Sequence, residues 1–124
     1  MQTLLQIFAW AFVLNLIWEH LHARLYVHYK KGPITEWILL RASFWDAVII
    51  AALAFFAASL PLHLGRLVMP IAGLVIAILM EQWALATGRW EYKKSMPIVP
   101  LLGTGLTPTI QLALLGVISL WMIS

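Results

Sequence analysis

Apolar positions come in four long runs, and the polar residues collect in short clusters between them. A membrane-crossing helix needs about 20 mostly apolar residues. The runs predict helices over residues 2–23, 36–60, 70–87 and 98–123. They use most of the chain and leave no room for a separate soluble domain. The expected fold is therefore all-α: a four-helix transmembrane bundle forming a single transmembrane domain over residues 1–124. The first run does not read as a cleavable signal. No basic residue precedes it, and Asn15, Glu19 and His20 interrupt its end.

The ends of the runs carry helix signals. Thr35 can cap the second helix, with Glu36 in its first turn, where a negative charge suits the helix dipole. Met69-Pro70 reads as the start of the third, because proline is favoured at the first helical position, and Gly88 reads as its stop. The fourth run is irregular. Pro97, Pro100, Gly103, Gly105 and Pro108 make poor helix, and Thr107-Pro108 reads as a cap and first helical residue. A helix from Pro108 to the end would be about 25 Å long, barely a span. The fourth segment is thus expected to break near Gly103–Pro108. Residues 97–106 are either a re-entrant wall of a cavity or the start of a kinked helix.

Charge sets the orientation. Arg24, Lys30 and Lys31 fall in the first connection, Arg89, Lys93 and Lys94 in the third, and only Arg66 in the second. The positive-inside rule places connections one and three in the cytosol and both termini outside, N-out and C-out. Tyr26, Tyr29, Trp37, Trp90 and Tyr92 would form an aromatic belt at the cytosolic surface, with Trp121 on the far side. Arg41 is expected to snorkel to the same cytosolic surface.

Composition narrows the class. Of 124 residues, 63% are hydrophobic and 10% charged, against about 25% charged in a soluble domain. That excludes a soluble enzyme and a disordered tail. The net charge of +3 marks no nucleic-acid partner, since the basic residues sit in short clusters between apolar runs. With no cysteine, disulfides and thiolate chemistry are excluded.

The informative residues are the acids inside the spans. A charged side chain at the centre of a membrane helix costs roughly 2.5–3.5 kcal/mol on insertion scales. Glu19, Asp46 and Glu81 all fall inside predicted helices. Counted from the cytosolic ends of their helices, their depths are about 6, 15 and 10 Å. Asn15, Glu19 and His22 form one stripe on the first helix. Glu81 shares a stripe with Gly73, Ala77, Ala84 and Gly88, and small residues at that spacing let helices approach closely. Ala47, Ala51, Ala54 and Ala58 lie beside the Asp46 face. The expected result is one interior cluster of Asn15, Glu19, His22, Asp46, Glu81 and Gln111, in which the three carboxyl groups cannot all be ionised. Interhelical hydrogen bonding would also account for such polar groups, but does not require three acids at similar depth.

Glu19-His20-Leu21-His22 contains a Glu-x-x-His spacing, but carboxylate-bridged metal bundles use two such motifs and this chain has one. No phosphate-cradling loop or zinc spacing is present. No metal and no cofactor are expected.

The stretch Glu81-Gln-Trp-Ala-Leu-Ala-Thr-Gly-Arg-Trp-Glu-Tyr92 closes a helix on an acid and continues into Gly88-x-Trp90-x-Tyr92. It resembles the membrane lycopene cyclases of carotenoid synthesis, which cyclise a polyene by acid catalysis inside the bilayer. The resemblance reaches Glu81, Gly88, Trp90 and Tyr92. That family places paired acids after a proline at the start of its next helix, where this chain reads Thr107-Pro108-Thr109-Ile110-Gln111. A second set of residues spans most of the chain: Trp18-Glu19, Leu25-Tyr26, Asp46, Glu81-x-Trp83, Trp90-x-Tyr92, Met96-Pro97, Pro100, Gly103-x-Gly105-Leu106-x-Pro108 and Gln111. It resembles a group of small bacterial four-helix membrane proteins. That resemblance implies the architecture and a bacterial inner (cytoplasmic) membrane, and carries no activity with it.

The leading functional expectation is binding, and acid–base conversion, of a lipid-soluble substrate of isoprenoid or polyene type. Glu81 would be the proton donor, Asp46 and Glu19 its partners or cation stabilisers, and His22 a relay. Asn15, Gln111, Trp83, Trp90 and Tyr92 would bind the substrate, the aromatic faces stabilising a carbocation. The expected partner is a membrane lipid or lipid-soluble small molecule. A proton- or ion-coupled transporter or channel acting as a homo-oligomer is the rival reading, and a structural or accessory subunit the third.

Overall fold

The computed structural model describes residues 2–124. It contains four α-helices: α1 (Gln2–His22), α2 (Glu36–Ala58), α3 (Leu62–Ala86) and α4 (Leu106–Met122). The first three are long and apolar enough to cross a membrane, as an integral membrane protein requires. α4 is apolar but shorter. Each helix packs on its neighbours in chain order, and α4 closes the ring against α1. α1 and α3 therefore run toward one end of the bundle, and α2 and α4 run away from it.

That end carries an element the apolar pattern does not announce. β1 (Tyr26–Tyr29) follows α1 and pairs antiparallel with β2 (Trp90–Tyr92), which follows α3. Tyr26 lies opposite Tyr92 and Tyr29 opposite Trp90, with an irregularity between Tyr26 and His28. The two connections rich in lysine and arginine are thus stitched together across the same end. Lys30 and Lys31 turn the chain after β1 with positive φ, at 50° and 64°.

The boundaries follow local chemistry. Thr35 Oγ1 accepts the Ile38 N–H at 3.3 Å and caps α2, as its sequence predicts. α3 ends as expected around Gly88, whose φ is +72°. The Arg89 N–H reaches back to the Ala84 carbonyl at 2.9 Å and the Gly88 N–H to Leu85 at 3.3 Å, the paired bonds of a Schellman stop. The start of α3 differs from the expected Pro70. Pro61 sits at the N-cap and the helix runs through Pro70. Leu62, Leu64, Arg66, Leu67 and Met69 favour helix on either side of Gly65, and only one intrahelical bond is lost at the proline.

α4 also starts elsewhere than expected. Gly105 is its N-cap, and Thr107 and Pro108 lie in its first turn, where a missing N–H costs nothing. Before it, residues 97–105 form a closed loop rather than the start of a kinked helix. The Leu106 N–H bonds Pro97 at 2.7 Å and the Val99 N–H bonds Thr104 at 2.8 Å. These short-range bonds satisfy the backbone groups that a kinked helix would have used.

The buried side chains divide the bundle. Toward the end that carries the α2–α3 turn, Ile7, Ala54, Met69 and Leu115 form a dry core. Toward the hairpin end the buried positions turn polar: Asn15, His22, Glu81 and Gln111. α3 and α4 approach closely at Gly73, where a Cβ would lie 2.9 Å from the Ala113 backbone. Gly73, Ala77, Glu81 and Ala84 form the buried stripe of α3, as their spacing predicts.

Candidate functional site

The polar residues fall into two hydrogen-bonded sets. The first centres on Gln111, one turn into α4. Its amide nitrogen faces Asn15 Oδ1 and Glu19 Oε1, each at 2.9 Å, and Asp46 Oδ2 at 3.0 Å. Residues from α1, α2 and α4 thus meet at one donor. Asn15 spends one of its own N–H groups on the Ala11 carbonyl at 2.7 Å. The Glu19 and Asp46 carboxyl groups thus converge on the same amide nitrogen. On its other side Glu19 Oε2 meets His22 Nε2 at 3.1 Å. His22 Nδ1 faces the Thr107 hydroxyl at 3.1 Å. With Nε2–H donating to the carboxylate, Nδ1 is the acceptor for Thr107.

The second set centres on Glu81. One oxygen, Oε1, accepts from the Tyr92 hydroxyl at 2.6 Å, the Tyr26 hydroxyl at 3.1 Å and the Trp90 indole N–H at 3.3 Å. All three donors come from the hairpin. No protein group donates to Oε2, and no buried side-chain polar atom among the described residues lacks a partner. Oε2 therefore retains open surface, although the residue as a whole is 6% exposed. Burial, and next the charge of Glu81, push the Tyr26 phenol well above its ordinary value. Burial and the hydrogen bond to Glu81 push the Tyr92 phenol up as well. Both stay protonated donors at neutral pH.

His22 joins the sets. Its ring stands edge-on to Tyr26 at 5.3 Å, and Tyr26 packs edge-on against both Trp90 and Tyr92.

Glu19, Asp46 and Glu81, with His22, Gln111 and Trp90, all line one cavity of about 300 Å³. The lining residues that reach the outer surface are Arg41, Trp45, Met80 and Trp83, on α2 and α3. The mouth thus lies between those two helices and opens sideways, under the hairpin. Its walls are chiefly apolar, from Ile38, Leu39 and Trp45 to Ala77, Met80 and Leu112.

The placement differs from the sequence expectation in several respects. Asn15 is fully buried behind Gln111 and does not reach the cavity, and Tyr92 stands behind Glu81. Both support the acids rather than line the space where a substrate would sit. Trp83, 53% exposed, is at the mouth. Tyr26, Trp90 and Tyr92 form no surface belt, because strand pairing turns them onto Glu81, whereas Trp37 and Trp121 do stand out at 65% and 71% exposure. Residues 97–106 wall no part of the cavity. Arg41 does not simply reach outward: it lines the cavity and donates to the Tyr29 hydroxyl at 3.0 Å. Tyr26 and Thr107 join the site without a local sequence signal for that chemistry. The alternation of Tyr26-Val-His-Tyr29 before a Lys-Lys-Gly turn is a strand signal that pairs naturally with Trp90-Glu-Tyr92.

Among the described residues no group of three or more His, Cys, Asp or Glu side chains is arranged to hold a metal ion. Comparison with protein families, with curated proteins and with solved structures finds no match for this chain.

Proposed function

We propose that this protein binds a lipid-soluble substrate of isoprenoid or polyene type and converts it by acid–base chemistry in the cavity between α2 and α3. One observation carries this reading: three carboxyl groups from three different helices line a single, mostly apolar cavity whose mouth faces sideways. A hydrophobic substrate can enter such a mouth from the bilayer without crossing water. Six basic residues stand in the two hairpin connections against one in the α2–α3 turn region. By the positive-inside rule the hairpin end is then cytosolic, with both termini outside, and the resemblance to small bacterial four-helix membrane proteins implies a bacterial inner membrane.

Glu81 is the proton donor. Its Oε1 is saturated by three hairpin donors, so the proton it transfers sits on Oε2, the oxygen with open surface. A carbocation formed on the substrate would lie among the faces of Trp90 and Tyr26 and the oxygens of Asp46 and Glu19. His22 connects the two acid sets and returns the proton. The motif resemblance over Glu81, Gly88, Trp90 and Tyr92 supports the same chemistry, with Asp46 and Glu19 occupying the role of the second acids missing after Pro108.

The test is conversion of isoprenoid substrates in membranes bearing the protein. Glu81→Gln keeps the acceptor for the three hairpin donors and removes the acidic proton, so it should lower turnover about 10²–10⁴-fold with an unchanged circular dichroism spectrum. Full activity in that variant would end the enzymatic reading. The continuous chain from Asp46 through Gln111, Glu19 and His22 to Thr107 favours a second reading, proton transport by a homo-oligomer. It requires proton flux in liposomes that Asp46→Asn abolishes and Glu81→Gln leaves in place.

A further inference from the structure

The rim of the cavity carries a charge opposite to its floor. Arg41 and Arg89 both line it. Arg41 comes from the second turn of α2, and Arg89 from the turn that follows α3. Asp46 lies five residues deeper along α2 than Arg41, about 7.5 Å at the helical rise. Glu81 precedes Arg89 by eight residues, the last stretch of α3 and the turn that ends it.

Neither arginine is neutralised. The ion pairs among the described residues are His20–Glu36, His22–Glu19 and His28–Glu91, and no arginine takes part in one. Both guanidinium groups are instead held by aromatic side chains of the same cavity. Arg41 donates to Tyr29 Oη at 3.0 Å and leans over its ring, and Arg89 stacks over Trp83 at 4.6 Å. Stacking and hydrogen bonding fix the planes of the two groups while leaving most of their N–H donors free. That is how arginine is deployed where it recognises a phosphate. Two arginines without acidic partners above an apolar chamber match a molecule with an anionic head and an apolar tail.

We infer that the substrate of this cavity is a phosphate-headed amphiphile, its head held at the rim between Arg41 and Arg89 and its chain lying along the walls toward Glu81 and Asp46. This deepens the proposed function and rests on it. It places the reacting part of the molecule in the chain, one to two helical turns below the head, and leaves the phosphate as a handle.

The inference is read by binding and needs no turnover. The protein in lipid nanodiscs is titrated with geranyl monophosphate, geraniol and inorganic phosphate. Geranyl monophosphate should bind at least tenfold more tightly than either of the others, because only it engages rim and walls together. Arg41→Gln and Arg89→Gln should each cut that preference severalfold, and the double variant should erase it while geraniol affinity stays unchanged, which also reports an intact cavity. Equal affinity for geraniol and its phosphate would overturn the inference and leave the cavity reading standing. So would a preference that survives in the double variant. Inorganic phosphate binding as tightly as the amphiphile would mean a site for free phosphate. Absence of binding by all three would overturn the lipid-binding reading itself.

Discussion

The two sets of buried acids in this bundle are built on opposite principles. Around Glu81, donors are in excess: two phenols and an indole aim at one carboxyl oxygen. Around Glu19 and Asp46, acceptors are in excess: oxygens from Asn15, Glu19 and Asp46 compete for the two hydrogens of the Gln111 amide. The difference teaches what each can do. A donor surplus orients a carboxyl group rigidly and directs its remaining oxygen. An acceptor surplus is completed only by a further proton, so it is a place where a proton can arrive and leave. Side by side along one cavity, with His22 between them, the first aims the chemistry and the second keeps the proton count.

The comparison is broken most directly at Gln111. Leucine in its place removes the donor and leaves three buried oxygens without their common partner. Unsatisfied buried acceptors cost about 1–3 kcal/mol each, more when charged. Gln111→Leu should therefore destabilise the protein by about 3 kcal/mol or more in unfolding titrations with denaturing detergent. A loss under about 1 kcal/mol would show that the three oxygens do not depend on this amide.

Close approach of α3 and α4 holds the two sets at their separation. Glu81 is on one helix, Gln111 on the other, and Gly73 faces the backbone of Ala113. That neighbour is main chain and cannot rotate away. Gly73→Ala should push the helices apart and cost about 1–3 kcal/mol in the same titration. It should also weaken geraniol binding, since the cavity is walled by Ala77 on α3 and Leu112 on α4. Unchanged stability and binding would mean that the spacing is set elsewhere.

How much of this is legible in the sequence depends on the range of the interaction. The four apolar runs and the small-residue stripe through Gly73, Ala77, Glu81 and Ala84 are periodic along one helix, so spacing reveals them. The gathering of Glu19, Asp46 and Gln111 follows from depth and face, both of which can be counted. The strand pair does not. Tyr26 and Tyr92 are separated by two whole helices, and four and three residues of alternation are too short to stand out beside long apolar runs. The reading of Tyr26, Trp90 and Tyr92 as a surface belt fails for that reason. The loop before α4 is the same kind of case. Its prolines and glycines announce irregularity, whereas its closure depends on backbone bonds such as that from Leu106 to Pro97, which no side-chain pattern encodes. α3 starts before Pro70 because proline marks a first turn well but does not forbid a helix interior.

On the donor-rich side, single deletions should be cheap. Tyr92→Phe removes the shortest bond to Glu81, at 2.6 Å, yet leaves Tyr26 and Trp90 in place. About 1 kcal/mol is expected, well below the loss from Gln111→Leu, and any activity should fall more than stability because the carboxyl is less firmly aimed. A stability loss equal to that of Gln111→Leu would erase the distinction between the two sets.

The smallest effect is spectroscopic. Tyr26 and Tyr92 have phenols raised above their ordinary value, Tyr26 by burial first and the Glu81 charge second, and Tyr92 by burial first and the hydrogen bond to Glu81 second. For a group whose folded value is raised, the stabilisation is complete below the unfolded value, about 10 for tyrosine. It is lost as the pH climbs through the folded one. Ultraviolet difference absorbance should therefore show these two phenolates forming only in strongly alkaline solution, together with loss of the fold. In Glu81→Gln the charge and the charged acceptor are gone while burial remains. The onset should move down in pH yet stay above the ordinary value. An onset that does not move would mean that Glu81 carries no charge beside the phenols in the folded protein. The donor surplus would then serve to seat a neutral acid rather than to hold a carboxylate.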